Sequence, residues 1–93
     1  MSVQARREIG FLLRELQGGA SLSMPRSRPM PPIGPGCHEL RVNDLGKTWR
    51  MILRIDSDAI LILEVFEKKT QKTPQSVIDA CRHRLRRYGE AMS

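Results

Sequence analysis

Ninety-three residues make one small domain with a thin core: a chain of this size buries only somewhat more than ~60% of the surface its unfolded form exposes, and one Trp, one Tyr and two Phe leave the packing to Leu, Ile, Val and Met. The formal net charge of +6 suits a nucleic acid or an acidic protein as partner, and charge alone does not separate the two. There is no secretory signal and no apolar run near the ~20 residues that cross a bilayer, and Cys37 and Cys81 form neither a C-x-x-C pair nor a zinc-ligand pattern. These features point to a soluble cytoplasmic protein with reduced thiols, no membrane partner and no metal or cofactor.

The chain opens with apolar residues at Ala5, Ile9, Leu12, Leu13 and Leu16, the spacing of one buried helical face. Arg6, Arg7, Glu8, Arg14 and Glu15 fall largely on the wet side, and Gly18-Gly19 supplies the stop. A helix is expected over residues 2–17. Residues 18–36 then turn to Gly, Ser and Pro, and Pro25, Pro29, Pro31, Pro32 and Pro35 exclude helix interior and central strand. This stretch reads as a long connector, with Met24, Met30 and Ile33 pinning it to the core and Arg26 and Arg28 adding charge.

In residues 38–42, Leu40 and Val42 alternate with Glu39 and Arg41, the pattern of a half-buried strand. Turn residues follow at Asn43-Asp44-Leu45-Gly46-Lys47. Residues 49–55 alternate again, Trp49, Met51, Leu53 and Ile55 against Arg50, Ile52 and Arg54. After a turn at Asp56-Ser57-Asp58, residues 59–66 are almost unbroken apolar, as expected for a strand covered on both faces. Short turns between three strands give an antiparallel meander.

The strand stops at Phe66-Glu67-Lys68-Lys69-Thr70-Gln71-Lys72-Thr73-Pro74, where Thr73 is suited to cap a helix that starts with Pro74. Val77, Ile78, Cys81, Leu85 and Tyr88 mark its apolar face, making Cys81 a small core residue, and Arg82, His83, Arg84, Arg86 and Arg87 mark the wet one. The whole is an α+β domain over residues 1–93: an N-terminal helix, a three-stranded antiparallel meander and a C-terminal helix.

Charge is not spread evenly over these elements. Residues 68–88 hold seven cations against the single anion Asp79, and the remaining basic and acidic residues cancel. Three lysines crowded in one loop repel each other unless something anionic offsets them, so Lys68, Lys69 and Lys72 are the first candidates for a polyanion surface. Arg41, Arg50 and Arg54 alternate out of register with the core residues of their strands and would project beside that loop. Arginine grips a phosphate by two parallel hydrogen bonds and lysine acts as a compact charge. Such an array stabilises a pentacoordinate phosphate without a metal, provided something takes a proton from the attacking oxygen. His38 and His83 have the right solution chemistry for that.

The order of these pieces resembles a known family. Leu16-Gln17-Gly18-Gly19, a Pro-rich loop with Met30, Gly36-Cys37-His38-Glu39-Leu40-Arg41, Trp49-Arg50-Met51 and the block from Phe66 to Pro74 are similar to the phage-derived, HigB-like branch of the RelE/ParE toxin superfamily. The resemblance implies a type II toxin–antitoxin toxin, held by a cognate helix-turn-helix antitoxin, that acts as a metal-independent endoribonuclease on ribosome-bound mRNA. It carries Arg41, Arg50, Lys68, Lys69 and Lys72 to the functional surface, with Arg50, Arg41 and Lys68 at the catalytic centre; the residue reading adds His83 there and sets Lys68, Lys69, Lys72, Arg54, Arg82 and Arg86 against RNA. ParE-like relatives instead inhibit gyrase, and a non-catalytic, antitoxin-bound remnant is the third reading. Members of this branch usually carry a strand ahead of the first helix. Without it an open sheet edge would invite a homodimer or an antitoxin segment.

Overall fold

The computed structural model describes residues 1–19, 27–56 and 59–92. Met24, Pro25 and Arg26 of the proline-rich stretch and Ser57-Asp58 of the second turn lie outside the described residues. The elements are α1 (Val3–Gln17), β1 (Ser27–Pro29), β2 (Cys37–Asp44), β3 (Lys47–Ile55), β4 (Ile60–Glu67) and α2 (Gln75–Met92). Ser2 caps α1, its hydroxyl accepting from the Ala5 N–H at 3.1 Å, and the Gly18 N–H closes the other end on Arg14 and Glu15 carbonyls. No described helix is long and apolar enough to cross a membrane.

The strands form one antiparallel sheet in the order β1-β2-β3-β4, so the expected meander carries a fourth strand. The extra strand is β1, inside the stretch read as a connector. Proline is barred from central strands because it has no N–H to give the ladder, but an edge strand tolerates it where that position faces outward, and Pro29 sits on that edge opposite His38. The Met30 N–H continues the pairing to the Cys37 carbonyl at 2.9 Å. Between β2 and β3 the chain reverses in two residues, Leu45 (φ 49°) and Gly46 (φ 82°), the positive-φ pair of a tight hairpin. Leu45 is 89% exposed at its tip.

Alternation along the strands divides the core in two. Leu40, Met51 and Leu53 face α1 and pack with Leu16, Ile9, Leu13, Ile55 and Ile60. Cys37, Ile52 and Leu63 face α2 and pack with Met30, Ile33, Cys81, Val77, Ile78 and Leu85. Each helix covers only part of its face, α1 lying chiefly on β2 and α2 on β4. The apolar run of β4 is therefore not covered on both faces as expected: Ile62 is 52% exposed and Val65 also faces solvent, because a single helix is too narrow to shield that outer strand as well.

The register of β4 shifts between Ile52 and Leu53 of its partner, a bulge that bends the edge. Two side chains cover the backbone there. Arg84 of α2 donates to the Leu63 carbonyl and pairs with Glu64 at 3.0 Å, whose carboxylate in turn accepts from the Val65 N–H at 3.3 Å. This is how a sheet edge is blunted against pairing.

Candidate nucleic-acid interface

Arg50 stands at the centre of the α2-facing side of the sheet, opposite Arg41 on β2 and Phe66 on β4. It is 1% exposed, an unusual position for a guanidinium. One of its nitrogens, Nη2, donates to the Gln71 carbonyl at 3.2 Å, and Nε lies 3.5 Å from the Glu39 carboxylate. Its Nη1 has no hydrogen-bond partner among the described residues. Burial pulls the Arg50 pKa below its ordinary value; Glu39 works against that shift, while Arg28 and Arg41 add to it. A buried cation with an unused donor is suited to an anion.

A pocket of about 110 Å³ lies over Arg50, walled by Phe66, Pro74 and the loop with Lys68, Lys69, Thr70 and Lys72. Local hydrogen bonds shape this loop. Lys68 still belongs to the ladder through its N–H to the Thr48 carbonyl at 2.7 Å, the Thr70 hydroxyl turns the chain by donating to the Lys72 carbonyl at 2.7 Å, and Pro74 accepts the N–H groups of Val77 and Ile78 to begin the helix. Three lysines and the start of α2 thus border a small cavity floored by a guanidinium, and Glu67 is the one acidic residue among its lining. Fields add in such a concave, low-dielectric place. A larger groove of about 410 Å³ runs between the start of α1 and the β2–β3 hairpin, but Lys47 is its one cation.

Beneath the loop, Glu39 is fully buried and holds three arginines at once. Its Oε1 is 3.4 Å from Arg28 Nε, 3.8 Å from Arg41 Nε and 3.5 Å from Arg50 Nε, close enough for charge pairing although none of the three has hydrogen-bond geometry. Its Oε2 accepts from the Thr73 hydroxyl at 2.8 Å. Thr73, expected to cap α2, thus turns its side chain to the sheet, and Pro74 opens the helix without it. Tertiary charge outcompetes the local cap here.

The model of the phage-derived Gp49-like proteins (DUF891) matches residues 1–86. The chain belongs to that family. The match takes in α1, the whole sheet, every residue of the pocket and α2 as far as residue 86, and Gp49-like proteins are associated with RelE-type toxins. Compared with the curated proteins and with the solved structures, this Gp49-like chain matches none.

In this Gp49-like protein the cations picked from the sequence separate into groups. Arg50, Lys68, Lys69 and Lys72 share the pocket. Arg41 adjoins it through Glu39 but does not line it. Arg54 sits four residues along β3 from Arg50, about 13 Å away, where it pairs with Asp56 at 2.9 Å and lies over the Tyr88 ring at 5.6 Å. Arg82 ties α2 to the proline stretch by donating to the Pro32 carbonyl at 2.6 Å. His83 and Arg86 are exposed on the outer side of α2, at least ten residues or about 15 Å along from Thr73. His38, on the other side of the sheet from Arg50, lines an apolar groove with Pro29, Pro31 and Pro35. Among the described residues no group of His, Cys, Asp and Glu gathers where it could hold a metal ion.

Sequence reasoning missed Glu39 and Arg28. For Glu39 a signal existed, since the alternation that put Arg41 beside Arg50 puts Glu39 between the basic side chains. Arg28 left none, because nothing local marks it as part of a sheet.

Proposed function

We propose that this Gp49-like chain is a HigB-like toxin of a type II toxin–antitoxin pair, working in the cytoplasm as an endoribonuclease on ribosome-bound messenger RNA. The observation that carries the reading is the buried Arg50, its Nη1 unused, under a rim of three lysines. In this reading the scissile phosphate enters the pocket and Arg50 and the ammonium groups stabilise the charge that builds on its oxygens. The ribose 2′-oxygen forms the new bond to phosphorus, the bond to the 5′-oxygen breaks, and a 2′,3′-cyclic phosphate remains. A rim lysine, Lys68 first since it is half-buried in the pocket wall and His83 stands outside it, gives a proton to the departing 5′-oxygen, and the 2′-hydroxyl proton passes to water. A cognate helix-turn-helix antitoxin is the proposed partner.

Inducing the full chain in bacteria while mapping transcript ends tests this. Growth arrest with new ends is the expected result; folded protein with neither speaks against it, and loss of DNA supercoiling with translation intact would favour gyrase instead. Replacing Lys68, Lys69 and Lys72 together by Ala removes the arrest, with each change costing no more than about 0.5 kcal/mol of stability, as is usual for surface positions.

A further inference from the structure

The arrangement around Glu39 holds more positive charge than its own balance requires. Arg50, at 3.5 Å, already pairs with the buried carboxylate, and Thr73 satisfies its other oxygen. Arg28 and Arg41 are therefore in surplus, and they are the exposed members: their side chains are 32% and 31% accessible, against 1% for Arg50. Both present Nε to the carboxylate, leaving their Nη ends for other partners. Apart from Arg28 Nη2, which donates to the Thr73 hydroxyl at 3.5 Å, those ends have no hydrogen-bond partner among the described residues. Two guanidinium groups held side by side by one buried anion, with donors facing solvent, make a fork for a second anion. A tie between β1 and the helix start explains the Arg28 contact with Thr73, but it gives Arg41 nothing to do.

The position of this fork identifies the ligand. Arg28 is two strands from Arg50 on the same face, and because both Nε atoms approach one Glu39 oxygen the two guanidinium heads stand no more than about 7 Å apart at Nε. A phosphate held in the pocket therefore leaves the next phosphate along a polynucleotide chain within reach of Arg28. Because α2 covers β4 rather than β2, the path from the lysine loop toward β1 is not under the helix. We propose that Arg28 and Arg41 form a second phosphate subsite beside the Arg50 pocket, so that the protein grips two consecutive phosphates of single-stranded RNA laid from the lysine loop across β3 and β2 toward β1. This rests on the reading that the Arg50 pocket takes an RNA phosphate.

The test uses the full chain and two probes, a nucleoside 3′-monophosphate and a short single-stranded oligonucleotide carrying 2′-O-methyl groups so that it is not cut. Affinity for each is measured against salt. Arg28→Ala should flatten the oligonucleotide slope of log K against log salt by about 0.7, the value for one single-strand phosphate contact, and lower monophosphate affinity by a clearly smaller factor than oligonucleotide affinity. Arg41→Gln, which breaks no hydrogen bond of the fold, should do the same, and Arg28→Lys should restore most of the slope. An unchanged slope in Arg41→Gln, or equal losses for the two probes in either variant, overturns the subsite. If the unmodified, folded protein binds neither probe, the pocket reading itself falls and the subsite with it. Monophosphate binding with no gain from the longer chain sinks the second subsite alone.

Discussion

Glu39 is the residue on which most of the buried charge depends. It is the single anion facing Arg28, Arg41 and Arg50, and removing one partner of a buried ion pair leaves the other uncompensated in a medium that solvates it poorly. Glu39→Gln keeps the shape and a hydrogen-bond acceptor for Thr73 but leaves three cations together. A loss of about 3 kcal/mol in urea unfolding is expected, the low end for such a deletion because two of the three arginines reach water. Cys81 gives a prediction in pH. Burial is the main reason its pKa is pushed up to about 11. Between the ordinary thiol value and that figure the unfolded chain releases a proton that the folded one keeps, so stability is full below about pH 8.5 and declines as pH rises toward 11. The cost is on the order of 3 kcal/mol, and Cys81→Ala should flatten that alkaline limb in thermal melts recorded from pH 8 to 11.

At the level of elements, what was legible in the sequence follows from how local each cause is. α1 was legible to within a residue because its apolar stripe and its glycine stop act over one or two turns, while the Ser2 cap emerged only from the structure. β3 was legible because a period of two over seven residues has no competing reading. β1 was not, since its three residues have no pattern of their own and become a strand only when β2 pairs with them. For the site, the lysine loop and Arg50 were legible as charge out of phase with apolar residues. The Glu39 cluster joins β1, β2, β3 and the start of α2, so no short stretch of sequence contains it. The β4 edge supplies the prediction at this scale. Arg84 is bound to the Leu63 carbonyl and to Glu64, and beside it Ile62 and Val65 are exposed. Arg84→Ala uncovers backbone next to an apolar surface, so concentration-dependent association is expected by light scattering, where the unmodified chain stays monodisperse at the same concentration.

For the whole molecule, Arg50 and the three loop lysines gather at one pocket of a structure with principal extents of 41 × 31 × 22 Å. A polyanion that binds there binds the folded chain alone, because unfolding scatters the cations, and so it must stabilise the fold by mass action. At one hundred times its dissociation constant a single-stranded RNA adds about 2.7 kcal/mol, which in a domain near this size raises the melting temperature by roughly 14 °C. The rise should vanish at about 1 M salt, where the screening length falls to about 3 Å. A melting temperature indifferent to RNA at low salt would count against the interface as drawn.

The hairpin tip offers a practical opening. Leu45 is held in the left-handed region and stands almost wholly in water, three residues before Thr48, whose carbonyl accepts the Lys68 N–H. Both native thiols are buried, so Leu45→Cys would present one reactive sulfur to a maleimide dye. That fluorophore would sit at the same end of the sheet as the lysine loop and report arrivals there by its own brightness.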